Sequence, residues 1–475
     1  MTEPNERNLA AIANRIPVPT YDREEIGTAI VHFGIGGFHR AHQAWYLDRL
    51  LEQGGSRDWG ICGVGVLPGD RRMRDVLAAQ DGLYTLCVAE PGGEWTPRVI
   101  GAIVEYLYAP DDPEAVVETL ADPNTRIVSL TITEGGYRPE LAQDATAVSV
   151  FGLVTAAFAR RRARGLPPFT VMSCDNIPDN GAVAREAFVA FARRQDAGLA
   201  EWISREGAFP SSMVDRITPG TTPAMIAELR HRFDIADGWP VLTEPFDQWV
   251  LEDEFPLGRP EFDLVGVQLV TDVAPYELMK LRLLNGGHQA LAFLGYLAGH
   301  RMVHDALADP PLARFLSRYL EREARPTLRP VPGIDLAAYC RTLLERFGNP
   351  AIADTIARLC ADASERIPKW VVPVILDRLD HDGDIDCGAT VLAAWARYCE
   401  GVDEQGDPIE IVDPRRDRLL ANALSQRHDP LAFLADRDLF GDLIDNPRFV
   451  ASYRKALDSL ITRGATATLT ELIGE

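Results

Sequence analysis

The sequence predicts an α/β protein: a parallel-sheet domain with extra strands over residues 1–275, followed by a mostly α-helical domain over 276–475. Three observations predict it. Up to about residue 270, short runs rich in β-branched residues alternate with helical stretches, the pattern of repeated strand–helix units. One early run ends in the glycine turn "GIGG" and opens directly into a helix. Beyond Pro275 the apolar residues recur at helical spacing and strand-like runs become few.

In chain order, "TAIVHFGIGG" (28–37) reads as a buried strand running into a turn, and "AHQAWYLDRLLEQGG" (41–55) as an amphipathic helix ending on Gly54 and Gly55. "WGICGVGV" (59–66), "RIVSLTIT" (126–133) and "FTVMSCDNI" (169–177) read as further strands, with "VSVFGLVTAAFARRRARG" (148–165) as a crossover helix. "WPVLTEPFDQWVLED" (239–253) and "LVGVQLVTD" (264–272) form a strand-rich section appended to this core. Helices are expected in "AYCRTLLERF", "AIADTIARLCADASERI", "ATVLAAWARYCEGV", "DRLLANALSQ" and "FVASYRKALDSLITRG". No fixed-period repeat or low-complexity linker interrupts the chain, so a ligand is expected in a cleft between the two domains.

The composition narrows the function classes. At 46% hydrophobic and 25% charged, 475 residues suit a globular protein of two or three domains. A formal net charge of −22 repels phosphate backbones and anionic lipid, which argues against nucleic-acid and membrane partners. The start, "MTEPNERNLAAIANRIP", lacks the basic residues and apolar core of a secretory leader, so a cytoplasmic protein is expected. Seven cysteines with no CxxC do not make a disulfide framework or a thiolate zinc site. His300 and His304 have the spacing of a helical metal pair, but no HExxH accompanies them, and no metal is expected.

"GIGGFHRAH" (34–42) lies between a strand and a helix, the context required of a dinucleotide turn. Gly34 would make the tight turn and Gly36 would let the backbone approach a pyrophosphate. Cofactor contacts are expected along Gly34, Ile35, Gly36, Gly37 and Phe38, with Arg40 as an added cation. The third glycine of the fingerprint is replaced by His39. Asp70, just beyond the second strand, can accept the adenosine ribose hydroxyls and so favours NAD, although the adjacent Arg71 and Arg72 could receive the extra phosphate of NADP. These features make the N-terminal domain Rossmann-like.

The second site signal is "KLRLLNGGHQALAFLGYLAGH" (280–300), an apolar helix interrupted by Lys280, Asn285 and His288. At 100° per residue, His288 projects about 80° and Asn285 about 140° from Lys280, all within about 12 Å along the axis. Gly286 and Gly287 would let a small molecule come close. The chemistry that fits is metal-free hydride transfer from a secondary alcohol. A lysine amine takes the hydroxyl proton, amide side chains hold the developing alkoxide, and an imidazole orients a hydroxyl. Asn285 is one such amide, and Asn176, at the end of the strand in "SCDNIPDNG", is a second.

The Lys280-x4-Asn285-x2-His288 pattern, taken with "GIGGFHRAHQ", "SLTITEGGY", "SCDNIPDNG" and "MVDRITP", resembles the polyol-specific long-chain dehydrogenases and reductases, and does so from about residue 20 to 470. The resemblance implies a metal-independent, monomeric, NAD-dependent enzyme that interconverts a polyol and its ketose, first of all D-mannitol and D-fructose. It implies Lys280 as general acid/base, Asn176 and Asn285 as the oxyanion pair, and His288 on the substrate hydroxyls. Glu277 would open a proton path from the lysine, Asp215 would lie near the reacting centre, and Asp70 would bind the ribose. Arg358 and Arg366 would reach the polyol chain; relatives usually carry lysine at the second position, and two arginines would also suit an anionic sugar acid. The alternatives are a D-arabinitol dehydrogenase, a fructuronate or tagaturonate reductase and, from another class, a non-catalytic NAD-binding sensor. The presence of the base and both amide donors speaks against the sensor.

Overall fold

The computed structural model describes residues 1–137 and 148–474. The chain divides into two compact units, Met1–Ala274 and Pro275–Glu475.

The first unit is built on a five-stranded, wholly parallel sheet of order β5-β2-β1-β6-β7. Its strands are β1 (Thr28–Phe33), β2 (Gly60–Gly65), β5 (Ile103–Tyr108), β6 (Ile127–Leu130) and β7 (Thr170–Ser173). A parallel sheet is covered on both faces, which is why β1 and its neighbours read as continuous apolar runs. Alternate side chains then feed two separate cores. Ile30, Ile61, Ile127 and Met172 enter one, while Val31, Phe33, Val64, Val128, Leu130 and Val171 enter the other.

From β1 the chain moves outward to β2 and later β5, then returns to the opposite side of β1 as β6 and β7. The gap between β1 and β6 is therefore a topological switch point, and the crevice beyond the carboxyl ends of these two strands is where such sheets bind ligands. Two segments lead into it: the turn at Gly34 and the stretch Thr131–Tyr137.

The remaining strands form two small sheets. β3 (Tyr84–Ala89) pairs antiparallel with β4 (Trp95–Ile100) and parallel with β9 (Val241–Thr243). β10 (Gln248–Glu252) lies between β8 (Ser212–Asp215) and β11 (Gln268–Val270). The section expected as one appended block is thus shared between two sheets. β3, β4 and β5 have no counterpart in the sequence reading, and β4 carries Pro97 inside it. The helix expected over 41–55 is interrupted: a short turn of helix, Gly37–Ala41, gives way at His42 (φ −122°, ψ −89°) to a helix over Gln43–Glu52. β7 stops at Ser173, so Asn176 lies in the loop beyond it rather than at the strand end.

Every element of the second unit is helical. The helices Gly286–Leu297 and Asp386–Tyr398 are buried along nearly their whole length and form its centre. The apolar text 351–367 is not one helix. Ala353 and Asp362 adopt φ of +50° and +52°, splitting it into a turn at Pro350–Ile352 and helices Ile356–Cys360 and Ala363–Trp370. Two stretches, Lys280–Asn285 and Tyr319–Ala324, are π-helical, with backbone bonds five residues apart. Among the described residues, no helix is long and apolar enough to cross a membrane.

Glu323 fastens the second π stretch. It is 1% exposed and accepts hydrogen bonds from the backbone N–H groups of Cys387 (2.7 Å) and Gly388 (2.8 Å), at the start of the helix Asp386–Tyr398. Burial pushes its carboxyl up to about 7, outweighing these two donors. A raised folded-state pKa favours the protonated form, so this group's contribution to stability is full below the ordinary carboxylate range and is lost as pH rises through about 7. Thermal unfolding of the wild type should therefore lose ground to Glu323→Gln between about pH 5 and about pH 8. Parallel pH curves for the two proteins would contradict this.

Candidate active site

In the first unit, Gly34 leaves β1 at φ +96°, and a Cβ there would sit 2.2 Å from the Thr131 carbonyl oxygen. Only glycine fits. Gly36 is exposed, and a Cβ placed on it would meet nothing closer than the Gly34 carbonyl at 3.8 Å. The turn thus keeps a bare stretch of backbone that a dinucleotide phosphate can approach, and the residues present fit the cofactor. Ile35 turns inward and packs over β2, within 2.6 Å of where a Cβ on Gly63 would stand. A Cβ on Gly37 would meet the Thr218 methyl at 3.6 Å, and Phe38 stacks on His42.

Arg40 is fully buried. Its guanidinium donates to the Trp239 and Gly36 carbonyls and lies over the Tyr84 ring, so it braces the turn from beneath rather than standing beside it as a surface cation. His39, in the place of the third glycine, stacks on His32 with ring centroids 3.5 Å apart. Burial pushes the His32 imidazole down to about 3 and His39 well below its usual value, so both rings are neutral at physiological pH. Asp70 opens the helix Asp70–Ala79, where its Oδ2 accepts from the N–H groups of Val66 (2.9 Å) and Leu67 (2.8 Å). This fixes the carboxylate at the end of β2. Asn176 is exposed, in the loop three residues before Asp179, and Asp215 is 3% exposed at the end of β8, paired in register with Gln248.

In the second unit, Lys280, Asn285 and His288 are 8%, 5% and 8% exposed. The π turn changes their expected arrangement. The Gly286 N–H bonds back to the Leu281 carbonyl, five residues earlier, and a π turn brings residues five apart over one another. Lys280 and Asn285 therefore share one side more closely than α-helical spacing allows. Asn285 Nδ2 is buried and has no hydrogen-bond partner among the described residues. His288 stacks on Phe347, centroids 4.1 Å apart. Glu277 lies one turn before the lysine, in the helix Ala274–Met279.

The two glycines serve packing. A Cβ on Gly286 would come within 3.1 Å of the Tyr319 hydroxyl, and one on Gly287 within 3.4 Å of Leu320. They admit neighbouring side chains, which corrects the expectation that they admit a ligand.

Arg358 and Arg366 sit on different short helices, yet the structure brings them together. Arg358 donates to the Asp354 carboxylate through two nitrogens. Arg366 Nη1 reaches the Arg358 and Leu359 carbonyls at 3.2 and 3.4 Å. Gln289, one residue past His288, donates to that same Leu359 carbonyl at 2.9 Å, tying the arginine segment to the central helix.

Several contributors escape sequence reasoning. His32, Asp175, Arg216 and Phe347 are all buried, and none was singled out in the sequence, although Asp175 lies within "SCDNIPDNG". Arg216, which donates to the Ala41 carbonyl at 2.6 Å, was visible only as part of "MVDRITP". The seven cysteines are free and buried. His300 faces Asp309 at 3.1 Å and His304 faces Asp305 at 3.4 Å, and no group of metal-binding side chains occurs among the described residues.

Residues 28–264 match the mannitol dehydrogenase Rossmann domain and residues 272–461 the mannitol dehydrogenase C-terminal domain. A mannitol 2-dehydrogenase of Phaeosphaeria nodorum is 45% identical over 98% of this chain and 85% of its own length. One from Aspergillus fumigatus is 44% identical over 99% of each. Among solved structures, Pseudomonas fluorescens mannitol 2-dehydrogenase, in ternary complex with NAD and D-mannitol, is similar over the full length of both chains, with 43% identity and a TM-score of 0.91. A substrate-free D-sorbitol dehydrogenase follows at 36% identity and a TM-score of 0.89. With both domains matched and this identity along practically its whole length, the chain belongs to the mannitol dehydrogenase family.

Proposed function

We propose that this chain is an NAD-dependent, metal-independent oxidoreductase that interconverts D-mannitol and D-fructose. The observation that carries the reading is the buried pair in the π turn: an amine at Lys280 and, five residues on in the same turn, the unpartnered amide N–H of Asn285. The family match and the ternary complex of the Pseudomonas fluorescens relative support the cofactor and the substrate.

Oxidation of a secondary alcohol removes a proton from oxygen and a hydride from carbon. NAD, when bound, supplies the hydride acceptor. Lys280 takes the hydroxyl proton as general base. Asn285 donates to the oxygen as negative charge develops there, and being an amide it does so without titrating. Asn176, on the first unit, is the proposed second donor. His288, its ring held flat against Phe347, orients a neighbouring hydroxyl, and Glu277 hands the lysine's proton onward to solvent. Asp215 is proposed near the reacting carbon, with Arg358 and Arg366 along the polyol chain. Gly34 to Phe38 and Arg40 shape the pyrophosphate turn, and Asp70 takes the adenosine ribose. A cytoplasmic monomer completes the proposal; the seven free, buried thiols suit a reducing compartment.

The direct test is NADH formation with D-mannitol, D-arabinitol and D-sorbitol, and NADH consumption with D-fructose and D-fructuronate. D-mannitol and D-fructose should be the preferred pair. Absent turnover of D-mannitol, or much faster reduction of D-fructuronate, would overturn the substrate assignment.

Lys280→Ala should lower kcat by about 10²- to 10⁴-fold while NADH binding stays near wild type, measured by steady-state rates beside a fluorescence titration. Wild-type turnover in this variant would remove the lysine from the mechanism.

Asn285→Ala should cost on the order of 10²-fold in kcat with a smaller change in KM, because the lost donor acts on charge that develops in the transition state. A change confined to KM would make Asn285 a binding residue only.

A further inference from the structure

Asp175 follows β7 by two residues and precedes Asn176 by one. It is 7% exposed, and its carboxylate gathers three donors from the segment after β6: the N–H groups of Ile132 (3.1 Å) and Thr133 (2.8 Å) and the Tyr137 hydroxyl (2.7 Å). This segment forms the β6 side of the switch-point crevice. Within it Thr133 stands at φ +68°. A β-branched residue is a genuine outlier in the left-handed region and stays there only when its surroundings impose the conformation. Asp175 supplies that imposition, since it accepts from the N–H of Thr133 itself and from the one before it.

The same segment is fastened to the glycine turn. Thr131 donates its N–H to the Phe33 carbonyl at 3.0 Å and its hydroxyl to the Gly34 carbonyl at 2.8 Å. His32 Nε2 lies 3.0 Å from that hydroxyl oxygen, while the Thr131 carbonyl occupies the space a Cβ on Gly34 would need. Moving Thr131–Thr133 therefore moves Gly34. An unbroken line of contacts runs from Asp175 through the end of β6 to the turn after β1.

We propose that Asp175 is a positioning residue for the cofactor: its carboxylate holds Ile132–Tyr137 in a strained conformation so that the Gly34 turn and the facing wall of the crevice are preformed for NAD. The proposal rests on the NAD-binding reading above and adds a residue to it. A carboxylate is the group required, because three donors converge on it. An asparagine there would offer one acceptor oxygen and turn an NH2 group towards the remaining donors.

The test is a double-mutant cycle on the full chain, with Asp175→Asn, Thr133→Gly and the pair, reading NADH affinity by fluorescence titration beside kcat and KM for NAD. Asp175→Asn should weaken NADH binding about tenfold or more and reduce kcat/KM for NAD further than kcat. Thr133→Gly alone should stay within about threefold of wild type, because glycine takes positive φ without strain. In the Thr133→Gly background, Asp175→Asn should cost clearly less, since the strain it must hold is gone. Unchanged NADH affinity in Asp175→Asn, or an equal loss in both backgrounds, would overturn the proposal. Should Asp175→Asn fail to fold by circular dichroism, Tyr137→Phe removes a single donor: a weakened NADH affinity supports the clamp and an unchanged one overturns it. A wild-type protein that binds no NADH would instead refute the cofactor reading itself.

Discussion

A single shift in backbone hydrogen bonding, from four residues to five across Lys280–Asn285, governs what the second unit can do. A π turn sacrifices good helical geometry, and such turns gather at functional sites for that reason. Here it spans Lys280 and Asn285, an amine and a carboxamide both withdrawn from water. The surroundings hold the turn in place. Gly286 and Gly287 let Tyr319, Leu320 and Phe347 close in, and the second π stretch that carries Tyr319 is anchored by Glu323 to the start of another central helix. Arg282 reinforces the arrangement from inside the turn, donating to the Thr327 carbonyl at 2.6 Å.

The first unit meets a different constraint. An open parallel sheet must reverse its winding somewhere, and it does so at β1, which places the Gly34 turn and the Thr131–Tyr137 segment on the two sides of one crevice. The polar residues buried beneath serve the backbone around that crevice. His32 meets Ser129 and Thr131, Arg40 holds the Trp239 carbonyl, and Arg216 holds the Ala41 carbonyl. Each satisfies a buried carbonyl or hydroxyl, and each removes freedom from a segment that has to be ready before a ligand arrives.

Arg366 stands where the sequence resemblance led to the expectation of a lysine, and its surroundings show how a longer, forked cation is accommodated. Its guanidinium leans back on the Arg358 and Leu359 carbonyls and passes over the Trp370 ring. This leaves it steadied by its own chain, in the same corner as Arg358, whose charge is met by Asp354.

The motifs along the sequence carried the α/β class, the glycine turn, the helical second half and the list of chemistry-bearing residues, because these depend on side-chain type and local spacing. Lys280, Asn285 and His288 stood out as polar residues in apolar text, and Gly34 stood out by its place between strand and helix. What local text does not encode is which distant groups share a space. α-Helical spacing misjudged Lys280 and Asn285, since a π turn is stabilised by neighbours far away in the chain. Gly286 and Gly287 looked like room for a ligand until Tyr319 and Leu320 were seen to fill it. Arg40 looked like a surface cation until Trp239 and Tyr84 enclosed it, and Asp175, though part of "SCDNIPDNG", carried no role of its own in the sequence. Its importance arises only where β6 and β7 lie side by side and three donors converge on one carboxylate, an arrangement that exists only in the folded chain.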